Sequence, residues 1–524
     1  MDTIAQAGAA RQPARPAPQA TPTRAGILVP LLLAAAFFVL LATFAGVDPA
    51  RGVTASTSPF TDEGWNVLNA RNFVLFGRWA TDGWAMDIVN YPFSVLEAAW
   101  LAVVGIGIVQ ARLLVIALGA VALGALGLGL RRPLGELGAS LAATALAGSA
   151  LLLYYGRLAY LEPVVMLWLI LALLALTRER PSFVGGVVAG LAIALAIATK
   201  ASAGAAAGGM LGGFVLAGWS DSRVRRAAVG AVVAALAAAL VWLVVFALPQ
   251  PAALATDLRI WAPEPLPRSI GQLIERIVSY PARSDGGIPL ALPLLLAGAG
   301  GFVVIVARRA SLDPRQCRLA ASCVGWFVAG TGVLLIVPYR PNRYLVPLLP
   351  PLAVLAGLGF AALTGWFSRR VGGSSSRPDR GYARTPAGHR IGGRPPGLPA
   401  VLAAVLALAL VLPGIVLDAG WMASTPTTLP GVEARVAALV PVGAAVQGDL
   451  APVLAMRTAA QTIVSRPATN VNAGDLYVTH DVRWVFTTGT PPGWASLHPA
   501  AWAERVRELC VTWGPGVTCL YRLP

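Results

Sequence analysis

The chain has 524 residues, a formal net charge of +16 from 40 Lys and Arg against 24 Asp and Glu, and 56% hydrophobic residues. Only 12% of its residues are charged and its mean hydropathy is +0.69, about half the charged share of a soluble domain, which excludes a single water-soluble globule. The arginines cluster between apolar runs rather than on a basic and aromatic surface, so they mark loops facing anionic lipid, and no nucleic-acid partner is expected.

In chain order, residues 1–25 are rich in Ala, Pro, Gln and Thr and read as a disordered cytoplasmic tail. The first apolar run, about Gly26 to Val47, is too long for a signal-peptide core and has no convincing cleavage site, so it stays as an anchor. Further spans are expected over about 112–130, 137–155, 161–177, 183–199, 201–219, 227–248, 288–307, 319–338, 344–364 and 398–420, giving about eleven. Arg131 and Arg132, Arg178 and Arg180, Arg223 to Arg226, Arg308 to Arg318 and the loop from Arg369 to Arg394 all then fall on the side of the N-terminal tail. That is the positive-inside pattern, and it places the N-terminus in the cytoplasm.

The apolar stretch from about Tyr91 to Ile108 breaks the alternation, because a full crossing there would invert every later loop. It is expected to be an interfacial or re-entrant helix on the outer side. The transmembrane domain then spans residues 26–422, with a first outer loop at 48–111 and a flexible basic cytoplasmic linker at 365–397. Residues 423–524 alternate apolar and polar stretches at Gly443–Gln447, Gln461–Val464, Val482–Thr488 and Val517–Leu523, and read as a small extracytoplasmic α/β domain. The expected fold class is therefore an all-α polytopic membrane protein with interfacial helices and a small α/β domain at its C-terminus. Cys510 and Cys519 in that domain form a disulfide if it faces an oxidising compartment. Only His389, His480 and His498 occur in the chain, so a His-rich metal site is excluded.

Four constellations could carry chemistry, and all lie at the outer membrane boundary. In the first outer loop, Asp62 and Glu63 precede Gly64-Trp65, with Arg71 and Gly77-Arg78-Trp79 downstream. Adjacent carboxylates there suit general-base work on an acceptor or the holding of a divalent cation, while the plainer alternative is that Asp62 caps a helix from Glu63 to Phe76. At a short turn, Arg157 and Glu162 either serve the site or pair with each other at the interface. Lys200 either snorkels to headgroups or offers a point charge to a phosphate. Arg340 and Arg343, beside Tyr344, contradict the inward bias of the other arginines. A lipid phosphate is their natural ligand, with ordinary headgroup contacts as the alternative.

The Asp62-Glu63 pair, the Tyr91-Pro92 start of the interfacial helix, the Arg157 and Glu162 turn and the Arg343-Tyr344 to Pro350 segment resemble the membrane glycosyltransferases of the GT-C class. The similarity covers about residues 26–365 and is greatest to bacterial relatives of protein O-mannosyltransferase and of the lipid A aminoarabinose transferase. The resemblance implies a polyprenyl-phosphate sugar donor and transfer on the extracytoplasmic face of a bacterial plasma membrane to a glycan, lipid or protein acceptor. It implies Asp62 as the catalytic aspartate, Glu63 as its acidic neighbour, Glu162 as the second acidic position, and Lys200, Arg340 and Arg343 as cations near the lipid phosphate. The chain departs from many relatives at Asn90-Tyr91-Pro92-Phe93, where a basic residue or histidine precedes two prolines. That leaves the dependence on a divalent cation open. Two rival classes are a flippase or transporter of lipid-linked sugars and a non-catalytic envelope-assembly protein. The near absence of mid-span ionisable residues and of an internal repeat weighs against transport.

Overall fold

The alternation of long apolar runs with arginine clusters becomes, in the computed structural model of the protein, a helical bundle capped by a small sheet domain. The structure describes residues 23–49, 61–79, 90–251, 254–255, 267–283, 287–337, 341–372, 397–464, 474–513 and 516–524. The expected tail at 1–25 falls outside them up to residue 22, as do Arg340 and most of the 365–397 linker.

Helix α1 (Arg24–Thr43) begins where the Thr23 hydroxyl accepts from Gly26 N, an N-cap that satisfies one of the free amides of the first turn. Then follow α2 (Thr61–Phe76), α3 (Tyr91–Val104), α4 (Ile108–Ala147), α5 (Ala150–Gly156), α6 (Glu162–Leu176), α7 (Phe183–Thr199), α8 (Ala203–Gly218) and α9 (Ser222–Trp242). After these come α10 (Ile270–Arg283), α11 (Gly287–Ala307), α12 (Pro314–Ile336), a 3-10 turn (Asn342–Leu348), α13 (Leu349–Gly372), α14 (Leu398–Ser424) and α15 (Thr428–Leu439). Seven of the described helical segments have the length and hydropathy to cross a membrane, and α3, α6, α7 and α8 are shorter apolar helices. The protein is a multi-pass membrane protein.

Two expected spans differ in detail. α4 joins the first with the start of the second, and bends at Gly135, whose φ of 70° is open to glycine, two residues after Pro133. The expected 137–155 span breaks again at Gly148 and Ser149 before α5. α6 and α7 have 15 and 17 residues, about 23–26 Å at 1.5 Å per residue, short of a 30 Å hydrocarbon core. Glu162 at the start of α6 and Lys200 just after the end of α7 meet at one end of the bundle.

α3 has 14 residues, about 21 Å, too short to span. Its Ala98 and Leu101 enter a second core with Val67 and Ala70 of α2, Leu429 and Val432 of α15, and Trp484, Phe486 and Leu520 of the C-terminal domain. It therefore lies on the same side of the membrane as that domain.

The C-terminal domain is a five-stranded sheet of β1 (Ala445–Gln447), β2 (Gln461–Ile463), β3 (Val482–Thr487), β4 (Val506–Trp513) and β5 (Gly516–Arg522), ordered β2-β1-β3-β5-β4. β1 pairs in parallel with β2 and β3, and β5 is antiparallel to β3 and β4. Cys510 and Cys519 face each other across β4 and β5 and are bonded. β4 is an additional strand that the sequence reading did not contain; its Arg507 and Glu508 suit a solvated edge.

Candidate active site

α2 carries the Asp62-Glu63 pair and is held from both sides. Its helix starts at Thr61, so Asp62 stands inside the first turn rather than before it, and Gly77, with φ of 70°, ends it. On one side the C-terminal domain presses against Gly64, where an added Cβ would meet Val453 N at 2.5 Å. Trp65 Nε1 donates to Asp449 O at 3.2 Å. Arg71 is fully buried and donates to the carbonyls of Met456, Ala455, Thr458 and Ala460 at 2.7–3.3 Å. Those carbonyls belong to the connection between the sheet's first two strands. Arg71 thus ties the domain to α2.

On the membrane side the first structural pair is Glu63 with Arg112 of α4. Arg112 Nε and Nη2 donate to the two carboxylate oxygens at 2.8 Å each, and both side chains are 0% exposed. Arg112 Nη1 donates to Ala45 O and Val47 O, and Ala159 N donates to Glu63 Oε1. Every donor and acceptor in this group meets a protein partner. Arg157 reinforces the same corner by donating to Val47 O and Asp48 O. The Asp48 carboxylate in turn accepts from Thr428 N and Leu429 N at the start of α15.

Asp62 points elsewhere. It pairs with Arg343 Nη2, while Arg343 Nε lies 3.3 Å from Glu162 Oε1. Lys200 Nζ also donates to Glu162 Oε1, at 2.5 Å, and sits 3.8 Å above the Tyr344 ring. The Arg343 guanidinium lies 5.1 Å from the Tyr160 ring centroid and 5.6 Å from that of Tyr344. Four elements converge: the first turn of α2, the N-terminus of α6, the C-terminus of α7 and the 3-10 turn. Two acids and two cations share one cluster whose Asp62 is 23% exposed. A cleft opens from Glu162, Lys200 and Tyr344 down an apolar wall of Ala203, Ala206, Val333 and Leu334, between α8 and α12.

The structure therefore brings together Asp62, Glu162, Lys200, Arg343 and Tyr344. It sets Glu63, Arg157 and Arg71 into neighbouring buried networks. Tyr91 makes none of these contacts and packs its ring against Trp79 and Phe246 at 5.4 and 4.4 Å. Arg340 lies outside the described residues. Arg112 was missed by the sequence reading: it opens an apolar run, where a single arginine reads as a snorkelling end residue. Asn90, which the sequence reading met only as part of the Asn90-Tyr91-Pro92-Phe93 departure, has a φ of 80°, a left-handed conformation that Asn tolerates.

Among the described residues no group of three His, Cys, Asp or Glu side chains could hold a metal ion. Among the described residues, the two carboxylates of the cluster, Asp62 and Glu162, are each paired with Arg343 or Lys200.

No family model matches the chain, and no curated protein is similar to it in sequence. Solved structures are similar in fold. ArnT from Cupriavidus metallidurans in the apo state superimposes with a TM-score of 0.62 at 17% identity, over 93% of this chain and 97% of that one. The same protein bound to undecaprenyl phosphate gives a TM-score of 0.60 at 16% identity over the same shares. The oligosaccharyltransferase of Archaeoglobus fulgidus, solved with Zn and sulfate, gives 0.51 at 14% identity, over 88% of this chain and 67% of that one. The likeness extends through the bundle into the C-terminal region, which the sequence resemblance did not reach. The chain shares the GT-C fold of these membrane glycosyltransferases.

Proposed function

We propose that the protein is a membrane glycosyltransferase that moves a hexose or pentose from a polyprenyl-phosphate donor to an acceptor hydroxyl. The observation that carries this reading is the juxtaposition of Lys200 and Arg343 with Asp62 at the head of an apolar cleft. The wall beyond Glu162 and Lys200 has the apolar character that an isoprenoid chain requires, and a phosphate suits two cations that otherwise hold carboxylates. The same fold in a protein solved with undecaprenyl phosphate supports the assignment.

In the resting cluster Arg343 pairs with Asp62. An arriving donor phosphate draws Arg343 and Lys200 to itself, and Asp62 is released to accept a proton. The acceptor oxygen attacks the anomeric carbon as its proton passes to Asp62. The bond between that carbon and the phosphate oxygen breaks, and polyprenyl phosphate leaves with its charge met by Arg343 and Lys200. Inversion at the anomeric carbon follows from a single displacement. Glu162 holds Lys200 and Arg343 in place, and Glu63 holds α2 against α4 through Arg112.

The arginine clusters on the side of the N-terminal tail support an orientation with that tail cytoplasmic and the C-terminal domain extracytoplasmic, and the proposed location is a bacterial plasma membrane. The acceptor is a glycan, a lipid or a protein reached from that outer side.

The test is sugar transfer by the purified protein in lipid, with a panel of radiolabelled polyprenyl-phosphate sugars and Asp62→Asn in parallel. Transfer from one donor, lost in the folded variant, is the expected result. Near-normal turnover by Asp62→Asn overturns the assignment of the base. Failure of the folded wild type with every donor, in the presence of envelope extracts as acceptors, overturns the transferase reading.

A further inference from the structure

The sheet of the C-terminal domain is covered on both faces. Val446, Trp484, Phe486 and Leu520 pack toward α2, α3 and α15. Ala445, Val485 and Ile463 belong to a separate core with Leu476, Trp494 and Ala495. In the layer over that second face, turned away from the helical bundle, lies an open cavity of about 560 Å³. Its volume falls in the range of about 300–1,000 Å³ that takes small-molecule ligands. The transfer chemistry above does not use it.

Its walls join three kinds of surface. Pro491, Pro492 and Pro499 are rigid, apolar and without backbone N–H groups. Trp502 supplies a half-buried indole, fixed edge to face by Trp494 at 6.2 Å and by Tyr521 at 5.8 Å. Arg505 lays its guanidinium over that indole, 4.5 Å from the ring centroid, and its Nη1 donates to Trp502 O at 2.6 Å. Arg483 and Arg522 of the same domain pair with Asp481 and Glu508, whereas no carboxylate among the described residues pairs with Arg505. Ser496 Oγ donates to Gly493 O at 2.9 Å, which leaves its lone pairs free to accept.

This combination selects a ligand. An indole and a proline wall take an apolar face, and a guanidinium, which only donates, takes acceptor oxygens beside it. A sugar ring presents both, with C–H bonds on its face and hydroxyls that donate and accept around its edge. A hydrocarbon chain leaves the guanidinium unmet, and an inorganic anion leaves the aromatic and proline surface unused. An extended peptide docks chiefly through main-chain hydrogen bonds, and the three prolines offer it no donor. No lining residue is acidic, so a carboxylate on the sugar meets only the guanidinium.

We propose that Trp502, Arg505 and Ser496 form an oligosaccharide-binding site on the C-terminal domain, separated by the sheet from α2 and its Asp62. Binding there is independent of the transferase reading. Its use as a hold on the acceptor rests on that reading, and narrows the acceptor to a glycan that the domain grips while its end reacts in the cleft.

The experiment uses the full-length protein in lipid nanodiscs, with mannohexaose, cellohexaose, arabinohexaose and the acidic hexagalacturonate as probes. Titration calorimetry and the thermal midpoint are compared for wild type, Trp502→Ala, Arg505→Met and Ala503→Gln. Wild type is expected to bind at least one probe, and Trp502→Ala and Arg505→Met to weaken that binding by at least about tenfold. Ala503→Gln adds volume at an exposed lining position and keeps the Trp502 side chain, so a loss there guards against a misfolded Trp502→Ala. In transfer to the bound saccharide, Arg505→Met is expected to raise the acceptor KM and leave kcat and the donor KM as in wild type. Failure of the folded wild type to bind any probe at millimolar concentration overturns the site. Binding that all three folded variants retain overturns it too, as does binding that polyprenyl phosphate competes away, which places the saccharide in the cleft. Binding of hexaglutamate and of no saccharide assigns the cavity to an acidic peptide and overturns the carbohydrate. Saccharide binding that the variants lose, in a protein that transfers no sugar, overturns the transferase reading alone. Transfer by a protein that binds no probe overturns the site alone.

Discussion

Asp62 and Glu63 are consecutive residues on one turn of α2, about 100° apart around the helix, and their carboxylates enter different environments. Glu63 meets Arg112 through two bonds, both side chains are fully buried, and Arg112 Nη1 is met by two backbone carbonyls. Asp62 meets Arg343, which it shares with Glu162, at the rim of a cleft. The first group is closed, and a ligand has nothing to gain there. The second holds its cations with partners that a phosphate can replace. Ion pairs of the same residue types at the same membrane boundary thus separate into a fastener and a site, and the separation is made by burial and by the number of bonds already satisfied.

Exchanging the charge on each carboxylate sharpens this contrast most. Asp62→Asn is expected to lower transfer by about 10²–10⁴-fold, the usual contribution of a general base, with the thermal midpoint close to wild type. Glu63→Gln is expected to do the reverse. Leaving Arg112 charged, buried and unpaired costs about 3–5 kcal/mol, visible as a lowered midpoint in detergent and poor recovery of folded protein. Glu63→Leu combined with Arg112→Met should recover part of that loss, because both ends of the pair are then removed. If Glu63→Gln folds as wild type and loses turnover instead, the two carboxylates act as one catalytic unit and the contrast fails.

How far this was legible beforehand follows the same division. Glu162, Lys200 and Arg343 could be collected because each sits at the end of an apolar run, and Asp62 because it lies in the loop after the first run; alternation of the spans puts all four on one side. Their membership in one cluster needed only that topology. The opposite roles of Asp62 and Glu63 were not readable, because the helical rotation that separates them matters only once α4 and the 3-10 turn are in place. Arg71 was read as a site candidate, yet its partners are carbonyls some 385 positions away, and a carbonyl leaves no mark in a sequence. The short strands β1, β2, β3 and β5 were visible as apolar runs. β4 was hidden, since an edge strand with Arg507, Glu508 and a cysteine lacks that signal.

Arg71 gives the next smaller effect. Arg71→Met keeps much of the side chain's volume and takes a donor from the carbonyls of Met456, Thr458 and Ala460, while Ala455 O keeps Thr458 N and Oγ1; a buried carbonyl left unsatisfied costs about 1–3 kcal/mol. Limited proteolysis is expected to release the C-terminal domain faster than in wild type, before the helical bundle unfolds. Donor binding at the cleft is expected to weaken less than transfer, because α2 and its Asp62 lose their outer support. Unaltered protease resistance would place the anchoring of α2 in Gly64 and Trp65 instead.

The smallest effect is expected at a third acid-base contact, Asp475 with His498, where both side chains are 28% exposed. The hydrogen bond from His498 holds the Asp475 carboxyl below its ordinary range, with the Val478 amide adding to it. A carboxylate with a depressed folded pKa lends its stability above the unfolded value of about 3.9, and loses it as pH falls through the folded value. Asp475→Asn should therefore leave the domain's midpoint nearly unchanged at pH 7, since solvent screens exposed pairs and they contribute little. It should differ from wild type chiefly by a flatter decline below pH 4, followed by the near-ultraviolet dichroism of Trp494, whose ring stacks on Tyr477 beside the pair. A loss at pH 7 as large as that of Glu63→Gln would mean that exposure does not rank these contacts, and the distinction between fastener and site would need another basis.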